Sequence, residues 1–127
     1  MKSTIAFLLV ALLIVASAAF GAPVTKIAVA AVDKTPAAAV GEQPAPSPYF
    51  LMFDGQGKLL ETVENPYRNN ARGGPGVLDF LAGKGVTVVV AGWFGPQIES
   101  VARSKGMTAV SFKGTVADAV KKVLQAK

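Results

Sequence analysis

An α/β fold is predicted, with a mixed sheet of about five strands and about three helices, and three observations predict it. Short apolar runs recur at 24–32, 49–53, 86–91 and 107–112, the first of them rich in β-branched residues. A tight-turn signal, Asp54-Gly55-Gln56-Gly57, joins the second run to a moderately alternating stretch at 58–63, which makes a hairpin. Strand, helix, strand, helix spacing over the C-terminal half predicts a parallel pair with a right-handed crossover.

The first 22 residues stand apart from this domain. Lys2 precedes an unbroken apolar run at 5–15, and small residues follow at 16–19 with an A-x-A pattern ending at Ala18. That is the order of a secretory signal peptide. The stretch is long enough to span a bilayer, but its second half is small and weakly apolar and Pro23 interrupts it, so a cleaved leader is favoured over an anchor. The expected product is a single domain over 23–127, periplasmic or secreted, with no stable membrane anchor after cleavage. The chain has no cysteine, which excludes cysteine-linked lipid and disulfides alike.

Within the domain each element has a local reason. Residues 24–32 read as a buried first strand. From Asp33 to Pro48 four prolines, at 36, 44, 46 and 48, stand among Ala, Gly, Gln and Ser, so a long surface loop without a strand ladder is expected. Asn65-Pro66 ends the hairpin, and 67–72 forms a polar loop carrying Arg68 and Arg72. Gly74-Pro75 and Gly95-Pro96 each place a proline where a first helical turn needs no N–H, while Gly85 and Gly106 stand where left-handed caps are wanted. The third helix opens at Thr115 with Asp118 three residues on, a capping pattern, and puts Val116, Ala119, Val120, Val123 and Leu124 on one face.

Function is bounded first by what is missing. With no histidine and no cysteine, the usual general base, the thiolate nucleophile and the commonest zinc, copper and iron ligands are gone. Asp33, Asp54, Asp79 and Asp118 are scattered at a strand end, a turn, a helix surface and a helix start, so no acid and base pair is visible. Met52 and Met107 fall within strand patterns and read as core. No enzymatic activity is expected, and hydrolase chemistry lacks its carboxylate set. Losing Lys2 with the leader lowers the net charge from +5 to +4. This mild excess suits solubility or a small anion, and it lacks the dense basic stripe of a nucleic-acid binder.

Two glycine-rich elements carry what chemistry remains. Arg72-Gly73-Gly74-Pro75-Gly76 opens one helix, and Gly92-Trp93-Phe94-Gly95-Pro96 follows a buried strand and opens the next. A helix start offers N–H groups and positive potential, and both elements fall at the carboxyl ends of strands, where ligands bind in α/β proteins. The bland reading is that the glycines satisfy turn geometry and that Trp93 and Phe94 cap the core. Lys121 and Lys122, on the last helix, are expected to lie away from this end.

The segments 24–32, Pro48 to Asp54, Glu64-Asn65-Pro66, Gly73-Gly74-Pro75-Gly76, Ala91 to Pro96, Lys105-Gly106-Met107 and 115–124 occur in the order seen in the dinitrogenase iron-molybdenum cofactor biosynthesis family, which the chain resembles over nearly the whole domain. The resemblance implies a ribonuclease H-like fold without nuclease activity that binds, stores or carries a metal-sulfide cluster or its precursor. The orange proteins, which bind a molybdenum-copper cluster, look most alike. Where many relatives carry a histidine and a Phe-Gly pair after the first strand, this chain reads Ala37-Ala38-Ala39-Val40-Gly41-Glu42 and keeps only the glycine.

The implied cofactor is thus a molybdenum-containing metal-sulfide cluster of Mo-Cu or Fe-Mo type. Without cysteine or histidine it is held as a preformed anion by N–H groups, cations and apolar walls. The candidate contacts are Lys34, Arg68, Arg72, Gly73, Gly74, Gly76, Trp93 and Phe94. The alternative is an exported interaction or sensing domain of the same fold that has lost cofactor binding.

Overall fold

A computed structural model describes residues 25–69 and 73–125. The expected leader and Arg72 lie outside the described residues. Eight elements follow one another: β1 (Lys26–Ala31), β2 (Tyr49–Asp54), β3 (Leu59–Glu64), α1 (Gly73–Gly83), β4 (Val88–Ala91), α2 (Pro96–Ser104), β5 (Thr108–Ser111) and α3 (Val116–Gln125). The five strands form one sheet in the order β3-β2-β1-β4-β5. β2 runs antiparallel to both β1 and β3, whereas β4 runs parallel to both β1 and β5. The carboxyl ends of β1, β3, β4 and β5 therefore share one edge with the starts of all three helices.

Alternation along the central strands sorts side chains into two cores, because successive residues of a strand face opposite sides. Ala28 and Ala30 of β1 and Phe50 and Met52 of β2 join Val77, Leu78 and Leu81 of α1 and Ala102 of α2. Ile27, Val29 and Ala31, with Leu51 and Phe53, meet Val116, Ala119 and Val120 of α3. β1 is covered on both faces and is buried from Ile27 onwards, which is why it reads as a continuous apolar run. Met52 and Met107 are buried, as expected of core residues.

Turn chemistry matches the sequence closely. Asp54 accepts the N–H groups of Gln56 and Lys58 on one carboxylate oxygen, at 2.8 and 2.9 Å, and these bonds hold its carboxyl below the usual carboxylate range. Gly85 and Gly106 sit at φ +80° and +77°, the left-handed conformation that ends α1 and α2 without a Cβ penalty.

The segment after β1 departs from expectation. It does not run free over the surface, because Val40 bridges to Ala31 and Ala39 to Thr115, and Gly41, Pro44 and Ser47 are buried. Proline lacks an N–H but keeps its carbonyl, so a proline-rich segment is short of donors and not of acceptors. The carbonyls of Pro36, Ala38, Pro44, Ala45, Ser47 and Pro48 all accept hydrogen bonds from other parts of the chain. The segment acts as an acceptor-rich strap across the carboxyl edge.

Candidate functional site

On one flank of that edge the strap uses up the donors a ligand would need. Val116 and Ala117, the first residues of α3, donate their N–H groups to the carbonyls of Ala38 and Pro36, each at 2.9 Å. The Asp118 N–H reaches Thr115 Oγ1 at 3.2 Å, as the capping pattern predicts. Beyond β4, Gly92 and Trp93 donate to the carbonyls of Gly41 and Glu42 at 2.8 and 2.7 Å. A Cβ on Gly92 would stand 3.1 Å from both the Glu42 Cα and its carbonyl oxygen, a contact tight enough that glycine eases this close approach. The N–H groups of 92–93, expected to face an anion, are bonded to protein instead.

The other flank is arranged differently. Gly74, in the first turn of α1, and Gly95, the N-cap of α2, border one crevice of about 110 Å³ with Trp93, Ile98, Gln43, Pro44 and Ala45. No side chain caps α2, and its Pro96 has no N–H to offer. The first N–H groups of a helix lack intrahelical acceptors, so two helix starts lend positive potential to an enclosure with mostly apolar walls. Trp93 is 54% exposed and forms one of those walls. A Cβ on Gly74 would lie 2.6 Å from Ile98 Cδ1, so glycine here lets α1 and α2 approach closely.

Of the residues singled out in the sequence, Gly74 and Trp93 are brought together, and Gly73 is buried beside them at the start of α1. Arg68 is exposed on the loop that leads towards α1. Phe94 is only 7% exposed and packs in the core beneath α1 and α2. Gly76 serves packing, since a Cβ there would come within 2.6 Å of the Tyr67 ring. Lys34 places its ammonium 5.5 Å from the centre of the Tyr49 ring. The walls formed by Gln43, Pro44, Ala45 and Ile98 were not foreseen, and the proline pattern of the strap was the signal that could have found the first three.

A larger cleft of about 470 Å³ opens on the strapped flank between residues 37–42 and 112–115, with Glu42 and Lys113 as the charged residues of its walls. Lys122 stacks 5.6 Å over Phe112 beside it. The last helix thus brings Lys122 nearer the carboxyl edge than the sequence suggested, because Phe112 turns back against α3.

Among the described residues no group of three or more carboxylates could hold a metal ion, and the chain has no histidine or cysteine anywhere. No carboxylate of the described residues lines the crevice, whose walls are mostly apolar side chains and glycines at two helix starts. Among the described residues no helix is long and apolar enough to cross a membrane.

An open five-stranded mixed sheet with helices on both faces, and with the loops into all three helices gathered at the carboxyl edge, defines the class as an open α/β fold. Residues 25–126 match the family model described as dinitrogenase iron-molybdenum cofactor, and the chain belongs to that family. Among solved structures it is similar to the apo form of the orange protein from Desulfovibrio gigas, with 24% identity and a TM-score of 0.73 over 80% of this chain and 88% of that one. It is also similar to a putative NifB protein from Thermotoga, with 27% identity and a TM-score of 0.67 over the same shares. No curated protein matches it.

Proposed function

We propose that this protein binds and carries, without catalysis, a preformed anionic metal-sulfide cluster containing molybdenum, or a precursor of one, and does so outside the cytoplasm. Family membership and the orange-protein likeness support the cargo class. The leader-like N-terminus supports export.

One observation carries the reading: Gly74 and Trp93 meet in an apolar crevice between two helix starts. Sulfide ligands spread negative charge over large, weakly hydrated atoms, so such an anion gains from helix-start N–H groups and loses little on meeting a tryptophan face and aliphatic walls. Arg68, exposed on the loop that leads towards α1, offers positive charge to such an anion, and Arg72 directly precedes α1 in the sequence. The cargo keeps its own metal–sulfur bonds, and the protein contributes enclosure, dipoles and charge.

Titration of the mature protein with tetrathiomolybdate, with and without copper(I), tests this. Saturable binding that perturbs the visible spectrum of the anion is expected. Absence of binding under both conditions would refute the reading.

The alternative, an interaction or sensing domain that has lost its cargo, draws on the strapped flank, where Gly41 and Glu42 occupy the N–H groups of Gly92 and Trp93. Protein recovered colourless and molybdenum-free from its native source would favour it.

A further inference from the structure

Asn65 is 3% exposed, and few polar side chains are buried as deeply among the described residues. Every hydrogen-bonding group of its side chain is engaged. Its Nδ2 donates to the carbonyls of Ala45, Ser47 and Pro44 at 2.7, 2.9 and 3.3 Å, and its Oδ1 accepts the Tyr67 N–H at 2.9 Å. Its own N–H reaches the Pro48 carbonyl at 2.9 Å.

These partners fall into two groups. Pro44 and Ala45 belong to the strap and form one wall of the crevice. Tyr67 belongs to the loop into α1, and its ring lies against Gly76, two residues beyond Gly74 on the opposite wall. One side chain therefore ties both walls to the end of β3. A buried amide whose two N–H groups are shared among three carbonyls supplies donors that aspartate or leucine would not.

We propose that Asn65 is the positioning residue of the crevice: it sets the distance between the Pro44-Ala45 wall and the α1 start, and so sets affinity for the anionic cargo. The inference rests on the crevice being the cargo site. Ser47 completes the arrangement from within the strap, donating its hydroxyl to the Gln43 carbonyl.

Trp93, the chain's single tryptophan, borders the crevice and reports on its geometry without any ligand. The experiment compares wild type with Asn65→Asp, with Asn65→Ser, which keeps one donor should the first variant fail to fold, and with Val120→Ala, a destabilising change on the opposite face. Each is measured for thermal midpoint, Trp93 emission and tetrathiomolybdate affinity.

Folded Asn65 variants should show red-shifted emission and affinity weaker by on the order of tenfold, a size typical of residues that orient direct contacts. Val120→Ala should lower the midpoint alone. Unchanged emission in a folded Asn65 variant overturns the positioning role, as do equal losses of affinity in Val120→Ala. Shifted emission in the Asn65 variants, with no tetrathiomolybdate binding even by wild type, leaves Asn65 setting the crevice and refutes the cargo reading alone.

Discussion

The two flanks of the carboxyl edge are built from the same parts, strand ends, glycine turns and helix starts, yet they reach opposite states. At α3 the strap's carbonyls take up the first N–H groups of the helix, and Thr115 takes the next. At α1 and α2 the strap instead offers apolar side chains, Pro44 and Ala45, to a crevice whose helix starts have no capping side chain at Gly95. The difference teaches that a helix start whose first N–H groups already meet carbonyls of its own chain has few left to offer a ligand.

The largest effect should come from breaking the closed flank. Val116 is fully buried at the first position of α3. Val116→Asp places an unpaired charge in that core at a cost of several kcal/mol, comparable to the total stability of a small domain. Thermal melting should show loss of the cooperative transition, and an unchanged midpoint would mean that α3 is not packed there.

Gly92→Ala comes next, because its Cβ meets Glu42 backbone that cannot rotate away. We expect about 1–3 kcal/mol of destabilisation. Hydrogen exchange should speed at Trp93, whose N–H would lose its acceptor, and should stay slow at Val120.

Thr115→Ala removes one cap at the closed flank and should cost about 1 kcal/mol. Chemical denaturation would detect it as a lower midpoint with an unchanged slope. If the crevice is independent of this flank, tetrathiomolybdate affinity should not move.

The smallest effect lies away from both flanks, where Lys84, just past the C-terminus of α1, bonds Glu61 of β3 at 2.9 Å. The Lys84 ammonium holds the Glu61 carboxyl below its ordinary value. A lowered carboxylate adds stability that is present above the unfolded pKa and fades as pH falls through the folded one. Because both side chains are substantially exposed, Glu61→Gln should cost under about 1 kcal/mol at neutral pH. Its stability should converge with wild type in acid, and a constant gap across pH would show that charge is not the cause.

Most of the sheet and all three helices were legible because their signals are local: the continuous apolar runs of β1 and β2, the Asp54 turn, and glycines at the ends of α1 and α2. The family motifs, including Glu64-Asn65-Pro66, were legible too. The strap was not, since a run of prolines signals missing donors, whereas its importance here lies in its carbonyl acceptors. The crevice was half legible: Gly74 and Trp93 stand out by their turn positions, whereas Phe94 and Gly76 share those turns but point into packing, a distinction that depends on Tyr67 and the core. Asn65 was recognised as a strand terminator, and nothing local discloses that its amide ties together segments about twenty residues apart.

On the proposed reading the α1–α2 crevice, and not net charge, holds the anion. The most direct test is Trp93 emission during tetrathiomolybdate titration of wild type, Gly74→Ala, the Arg68→Ala/Arg72→Ala pair and Lys58→Ala, a charge at the far end of the sheet. Wild type and Lys58→Ala should quench alike and saturate, while Gly74→Ala, which presses on Ile98, and the arginine pair should bind more weakly. Equal weakening by Lys58→Ala, or full affinity in Gly74→Ala together with the arginine pair, would contradict the account.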